Sequence, residues 1–349
     1  MPSILAVETA TPQYRTNQAE IRGFAREYFG TAIRDIDRYI SVFDNAEIGT
    51  RHLAAPLHWF GEEHTWNEAN DLWIEVACEL GEEAARRCLA RAELTPADVD
   101  HIFFVSTTGL AAPSLDARIM TLLGMPRHAR RTPIWGLGCA GGVAGLARAA
   151  EYVRAFPGHR ALLVCVELCS ITFQHGDRSK RNLVAVSLFG DGAAAVLVGG
   201  DDVADRGPRI VDTRSTLFPD SLDLMGWDIV ETGMRVIFGA GIPRVVTDHF
   251  SQLAGEFLDD HDLSLGAIDH HVYHPGGAKV LRAYEQAGRL PTHALDASRE
   301  VLREYGNMSS ATVLFVLKQI IDQGIAPDAT ALMTVFGPGF SSEMALLKG

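Results

Sequence analysis

Long apolar runs, a basic surplus and regularly spaced cysteines are all missing from this 349-residue chain. A bilayer crossing takes ~20 consecutive apolar residues, and no segment reaches that, so no membrane span is expected. The opening MPSILAVETATPQY lacks a basic segment leading into an apolar stretch, so no export signal is expected either. Basic side chains number 31 against 44 acidic ones, a formal charge of −13. That balance argues against broad attraction to nucleic acid or anionic lipid, and any anionic ligand must be met by a local basic cluster. The five cysteines (Cys78, Cys88, Cys139, Cys165, Cys169) form neither a disulfide framework nor a CxxC zinc pair. A reducing, cytoplasmic setting is the expectation. With 47% hydrophobic residues, the chain can bury a large core, as one domain or as two halves.

Strand-like runs (HIFFVS, 101–106; ALLVCVE, 161–167; AAAVLVG, 193–199) alternate with helix-like ones such as residues 73–92, which predicts an α/β fold of layered helices and sheet. The order repeats. LTPADVDHIFFVSTTG (94–109) and LSLGAIDHHVYHPGG (263–277) share a leucine, an aliphatic-Asp-His step and a strand ending in a polar, glycine-bearing turn. Each is followed by a glycine step opening a helix, Gly138-Cys139 in one case and Gly306-Asn307 in the other, and then by a second apolar strand, ALLVCVE or ALMTVFG (331–337). The expectation is a duplicated α/β unit with a pseudo-twofold relation, divided in the polar stretch 201–212 into halves 1–205 and 206–349.

In WGLGCAGGVAGLARAAEYV (135–153), a strand, a glycine turn and a helix put Cys139 at a helix N-terminus, where free N–H groups favour an anion and lower a thiol pKa. Gly136, Gly138, Gly141 and Gly142 would leave room for a ligand to approach the backbone. Two other readings stay open on these residues. Cys139 can be an ordinary small buried hydrophobe. GLGCAG also satisfies GxGxxG, and ALLVCVE ends in Glu167, where a dinucleotide-binding module would hold its ribose-binding acid. The duplication weighs against that module, because its second copy carries Asn307 and no glycine fingerprint.

The second half supplies partners for a nucleophile. HVYHPGG places His274 at a strand end, and YGNMSSATVLFVL places Asn307 at a helix start. Taken singly, a histidine in a turn is usually solvated, Asn before a helix is a common N-cap, and His270 and His271 stand close by. A pseudo-twofold would bring both residues to Cys139. A Cys-His-Asn set suits acyl transfer, the imidazole assisting the thiolate and the imidazole and amide donating to an oxyanion. The local signature of papain-like proteases, which use the same three residue types, is absent.

GLGCAGG, SLFGDGAAAVLVG (187–199), HPGG (274–277), YGNMSSATVLF (305–315) and FGPGFSSE (336–343) together resemble the motifs of type III polyketide synthases, the chalcone-synthase-like enzymes of the thiolase fold, in the same order along nearly the whole chain. HPGG and GNMSS fit that family better than the HxxN and GNTS elements of ketoacyl synthase III, a single-condensation alternative that works on an acyl carrier protein. The resemblance implies a five-layered αβαβα core and a homodimer in which Ala112-Pro113 reaches toward the partner's cavity, with a cis bond as X-Pro permits. It also implies that Cys139 carries the starter acyl group while His274 and Asn307 hold the malonyl-CoA thioester carbonyl, with no metal or redox cofactor. Phe189 matches the family's aromatic gatekeeper, and Val236 stands where plant members have a second phenylalanine.

By the same resemblance Thr107, Thr108, Ala112, Cys169, Thr172, Trp227 and Ser309 line the cavity. WGLGCAGG, ELCSITFQ and MGWD look most like bacterial members that make alkylpyrones and alkylresorcinols from long-chain acyl-CoA. Small residues at 108, 112 and 169 would open a tunnel for the fatty chain. The bulk of Trp227 would shrink the cyclisation chamber toward a tri- or tetraketide. For the phosphates of CoA the expected candidates are Arg38 and Arg51, with the basic runs RHARR (127–131) and RSKR (178–181) as others.

Overall fold

Period-two alternation along the strands decides the layering. The computed structural model describes residues 1–204 and 206–349; Asp205, at the expected 205/206 division, lies outside the described residues. The first half contains β1 (Ser3–Ala10), β2 (Tyr14–Asn17), α1 (Gln18–Gly30), α2 (Ile36–Tyr39), β3 (Thr50–Leu53), α3 (Trp66–Arg91), β4 (His101–Val105), α4 (Leu115–Leu123), β5 (Arg130–Ile134), α5 (Gly141–Ala155), β6 (Arg160–Leu168), α6 (Lys180–Leu188) and β7 (Asp191–Gly199). The second contains β8 (Arg209–Leu217), β9 (Met225–Val230), β10 (Gly233–Phe238), α7 (Ile242–Asp259), β11 (His270–Tyr273), α8 (Ala278–Gly288), α9 (Asp296–Tyr305), α10 (Thr312–Gln323), β12 (Thr330–Gly337) and β13 (Ser341–Lys348).

On β6, Ala161, Leu163 and Cys165 face a central core with α5 and α10, while Leu162, Val164 and Val166 face α3. On β12, Ala331, Met333 and Val335 face that same central core, whereas Leu332 and Phe336 pack under α7 and α8. Both strands are therefore apolar on both sides, as strands covered by helices on each face must be. The layers follow: α3, sheet, α5 with α10, sheet, and α7 with α8, the αβαβα arrangement.

The strand order is β11-β12-β13-β8-β1-β7-β6-β4-β5. Read outward from the middle, β1-β7-β6-β4 and β8-β13-β12-β11 have the same sense at every step: antiparallel, antiparallel, parallel. Strands β1 and β8 share a single register pair, Ser3 and Arg209, flanked by the Ile4 N–H on the Pro208 carbonyl and the Ile210 N–H on the Pro2 carbonyl. Glycines let α5 sit deep between the layers. A Cβ on Gly145 would stand 2.6 Å from Leu163 Cδ1, and one on Gly142 would stand 2.3 Å from the Ser310 carbonyl oxygen just ahead of α10. Capping boxes at Asn17/Glu20 and Thr65/Glu68 start α1 and α3.

Candidate active site

Cys139 lies in a 3-10 turn, Gly138–Ala140, that runs into α5. That turn rests on the other half. A Cβ on Gly138 would stand 2.7 Å from Pro338 Cδ, and one on Gly337 would stand 2.6 Å from Ala140 Cβ. Two glycines of the turn, expected to clear space for a ligand, are thus spent on protein: Gly138 on Pro338, and Gly141 on Val105 and Ser310, its Cβ position being 2.5 Å from Val105 Cγ1. Gly142 abuts Ser310 in the same way. Gly136 alone of the four, at φ +92°, has open space around it.

Asn307 connects the two halves of the site. Its Nδ2 donates to the Gly276 carbonyl (3.2 Å), two residues past His274, and its Oδ1 accepts from Ser309 N–H (2.8 Å). The Asn307 and Ser309 side chains stand beside the Cys139 thiol and favour its thiolate form. Ser309 itself holds a left-handed backbone, φ +48°, which non-glycine residues seldom adopt. His274, anchored through its N–H to the Thr334 carbonyl (3.0 Å), is 3% exposed, and neither ring nitrogen has a partner among the described residues. His270 and His271 stay outside: His271 is buried against Tyr273 Oη at 3.0 Å.

Electrostatically the site differs from the expectation of a lowered thiol pKa. Burial pushes the Cys139 thiol up to about 12, outweighing Ser309 and Asn307, with the Glu167 carboxylate raising it further. Burial also draws His274 down to about 3. Loss of solvation penalises either charge alone more than the turn's dipole rewards the thiolate. Burial thus favours the neutral thiol at Cys139 and the neutral imidazole at His274.

Glu167 does not face a nucleotide. It is fully buried and accepts from Thr107 N (3.0 Å), Thr107 Oγ1 (3.1 Å), Thr108 Oγ1 (3.0 Å) and Ser310 Oγ (2.6 Å). This corrects two expectations. No acid is available to a ribose at that strand end, and the Thr107 and Thr108 side chains turn to Glu167 rather than to the cavity. Thr108 also receives Trp73 Nε1–H and Leu168 N–H. Ala112, preceding the cis bond to Pro113, is exposed and lines neither of the two hollows beside the site. Arg51 is corrected as well. It is 1% exposed, with its guanidinium donating to the carbonyls of Val186 (2.6 Å) and Phe189 (2.7 Å) and to Gln18 Oε1 (2.6 Å), so it cannot reach a CoA phosphate.

Two hollows flank the site, and α6 divides them. Arg181, Val184 and Leu188 line a cleft of about 760 Å³, while Asn182, Ala185, Val186 and Phe189 line a second, narrower cavity with about 50 Å³ of free space. The three- and four-residue spacings put these sets on opposite faces of one helix. Around the cleft stand Arg38, Lys180, Arg181 and Lys279, with Gly276 and Gly277 in its wall. Two of the chain's four lysines are there. RSKR contributes to this mouth, whereas Arg130 of RHARR packs over Phe156 elsewhere. Lys279 escaped the sequence analysis; its signal was its place in the first turn of the helix after HPGG. The narrower cavity is lined by Cys169, Thr172, Phe189 and Val236 with Phe24, Leu57, Phe60 and Phe173. Trp227 pairs with Val236 across β9–β10 and stands 6.3 Å from Phe189, ring to ring.

A duplicated α/β core that closes on a buried cysteine, histidine and asparagine between a basic cleft and an apolar cavity defines an acyl-transferring condensing enzyme of the thiolase-like class. The N-terminal domain of chalcone and stilbene synthases matches residues 3–202, and the C-terminal domain of that family matches residues 209–349. The chain belongs to this family and is a type III polyketide synthase, an acyltransferase. It is 42% identical to a putative chalcone synthase of Bacillus subtilis (strain 168), over 100% of this chain and 99% of that one. It is 41% identical to a 1,3,6,8-tetrahydroxynaphthalene synthase of Streptomyces peucetius subsp. caesius, over 99% of this chain and 93% of that one. The crystal structure of 1,3,6,8-tetrahydroxynaphthalene synthase from Streptomyces coelicolor A3(2) superposes with a TM-score of 0.95 at 30% identity, covering 99% of both chains. Among the described residues no helix is long and apolar enough to cross a membrane.

Proposed function

We propose that the chain extends a long-chain fatty acyl-CoA with malonyl-CoA, giving tri- or tetraketide alkylpyrones or alkylresorcinols. The observation that carries this reading is the narrow, apolar-walled cavity opening beside Cys169 and Phe189, on the far side of α6 from the basic cleft. The cleft takes CoA, its phosphates met by Arg38, Lys180, Arg181 and Lys279. The Cys139 sulfur attacks the starter thioester as its proton passes to His274, and CoA leaves as the thiol when that proton is handed on. Malonyl-CoA then loses CO2. The enolate oxygen takes hydrogen bonds from neutral His274 and from the Nδ2 hydrogen of Asn307 that Gly276 does not use. Two such donors in a water-poor site are each worth about 10²–10³ in rate. The enolate carbon attacks the acyl thioester and frees Cys139. Decarboxylation itself supplies the carbanion, so the reaction needs no metal or redox cofactor.

The name of the Streptomyces peucetius relative points to a second reading, a bicyclic aromatic product. The apolar lining of the narrow cavity, Phe24, Leu57, Phe60, Phe173 and Val236, suits an alkyl chain. A homodimer belongs to the proposal too: Leu110 (44% exposed) and Trp135 (48% exposed) are large apolar side chains left in solvent, the Trp135 Nε1–H donating to the carbonyl of Gly109, the residue before Leu110. Intact-mass measurement after incubation with acyl-CoA, followed by product analysis over a panel of starters, tests the reading. An acyl adduct on Cys139 and pyrones or resorcinols from long starters support it. Turnover of malonyl-CoA alone would favour the aromatic product, and a single extension would favour ketoacyl synthase III-like chemistry.

A further inference from the structure

We propose that Gln174 is a positioning residue for starter choice: its buried amide latches the tip of the β9–β10 hairpin, and the latch sets how close the hairpin's wall of the narrow cavity stands to Phe189. The inference rests on the reading of that cavity as the place of the starter acyl group, and goes beyond it by naming what fixes the wall.

Strands β9 and β10 form a two-stranded sheet of their own, paired from Met225 and Phe238 at the base to Val230 and Gly233 at the tip. Such a pair is marginal in water by itself, so its place must be fixed from outside its own ladder. At the base, Leu224, Met225 and Phe238 pack against the core under α7 and α8. The stem above that base walls both hollows. Arg235 and Val236 line the narrow cavity, Ile237 and Phe238 line the wide cleft, and Trp227, opposite Val236, stands 6.3 Å from the Phe189 ring. A swing of the stem about its base would therefore reshape the site.

Gln174 acts at the other end. Thr232 Oγ1 donates to Gln174 Oε1 (2.6 Å), and Gln174 Nε2 donates to the carbonyls of Thr232 and Met234 (3.4 Å each). The amide comes this near because Gly233, at φ +125°, has no side chain: a Cβ there would stand 2.8 Å from Trp66 Cε3 and 3.1 Å from Gln174 Nε2. Gln174 is held in turn. Its carbonyl accepts from Asn182 Nδ2 (2.9 Å) in the first turn of α6, the helix that ends at Phe189. The latch thus ties the hairpin tip to the element that carries the facing ring. Met234 is fully buried and also draws the tip inward, but apolar burial has no direction, whereas the amide's hydrogen bonds fix the tip's position. With the tip latched, Val236 and Trp227 leave a slot beside Phe189 that suits a linear acyl chain; with the tip released, the wall recedes and admits bulk.

Two variants separate a latch from a simple wall contact. Gln174 itself lines the narrow cavity, whereas Thr232 is exposed and lines neither hollow. The full-length wild type, Gln174→Met, Thr232→Val and the double variant are compared by kcat/KM for decanoyl-CoA and benzoyl-CoA starters and by amide hydrogen exchange. Loss of the Thr232 hydrogen bond should speed exchange across residues 225–238 about three- to tenfold in Thr232→Val, with the α5 amides unchanged. The decanoyl-to-benzoyl ratio should fall about tenfold in Gln174→Met and about threefold in Thr232→Val. The double variant should lose no more than Gln174→Met alone, because both changes act through one latch. If Gln174→Met impairs folding, the exposed Thr232→Val carries the test. Unchanged exchange in the hairpin, or a ratio altered by Gln174→Met and not by Thr232→Val, overturns the latch while leaving the starter assignment intact. A wild type that uses no fatty acyl-CoA overturns the starter assignment, and with it the role of Gln174 in starter choice.

Discussion

Asn307 and Phe189 are locked together through their backbones. The Asn307 N–H donates to the Leu188 carbonyl (2.9 Å) and the Asn307 carbonyl accepts from Gly190 N–H (3.0 Å), so that two bonds bracket Phe189. The amide beside Cys139 and the ring facing the acyl cavity are thereby held as one unit, although 118 positions separate them in the chain. Asn307→Asp keeps an acceptor for the Ser309 N–H but loses the Nδ2 donor. Decarboxylation of malonyl-CoA, followed as CO2 release, should fall about 10²–10³-fold. A loss under threefold would remove Asn307 from the oxyanion role.

The paired neutrality of Cys139 and His274 makes a second prediction. With His274 present the thiol can pass its proton within the pair; in His274→Gln the thiol keeps only the raised pKa that burial gives it. Alkylation of Cys139 by iodoacetamide at pH 7 should slow at least tenfold in the variant, and its rate should keep climbing with pH above 9. A pH profile that coincides with the wild type would show that His274 does not take the thiol proton.

His271 offers a test of stability against pH. Burial draws it down to about 4, below the ~6.5 of an unfolded histidine. Its contribution is thus full above pH 6.5 and is lost as pH falls toward 4, because the unfolded chain binds the proton first. At pH 5 the loss is about 2 kcal/mol. In His271→Asn, which can still meet Tyr273 Oη, the drop in unfolding free energy between pH 7 and pH 5 should shrink by about that amount, as read by urea titration. An unchanged drop would place the pH sensitivity elsewhere.

Two basic residues should fail in different ways. Arg51→Met leaves the Val186 and Phe189 carbonyls and Gln18 Oε1 buried without their donor, which should cost about 3 kcal/mol in a denaturant titration. Lys279→Ala, at the exposed mouth, should leave stability within ~0.5 kcal/mol, as for most surface changes. It should raise KM for malonyl-CoA several-fold at low salt, with a smaller effect at 0.5 M salt as screening takes over. A KM effect confined to Arg51→Met would reverse these assignments.

The catalytic candidates were legible because each sits at a turn whose chemistry is local: Cys139 in a glycine turn, His274 before Pro-Gly, Asn307 ahead of a helix. The order of strands was legible from apolar runs of strand length. Other features depended on neighbours far along the chain. Gly138 is explained by Pro338, two hundred residues on, and Thr107 and Thr108 turn aside because the buried Glu167 carboxylate needs their donors. For Arg51, a basic residue in the right region gave no sign that three acceptors enclose it. On α6, NLVAVSLF is apolar on both faces, so periodicity could not say that one meets a CoA cleft and the other an alkyl cavity. At Cys139 the helix-terminus argument was sound locally and was outweighed by desolvation, which only burial reveals.

The repeated strand order has a consequence for where activity resides. The two repeats share one central core, and the candidate residues divide between them, Cys139 in the first and His274 and Asn307 in the second, so the proposed reaction would belong to the seam and to neither repeat. Because β1 and β8 share a single register pair, the connection between β7 and β8 is a natural place to cut. Two fragments divided there should each be inert and should regain turnover only on reassembly, since what they share is a surface and not a site.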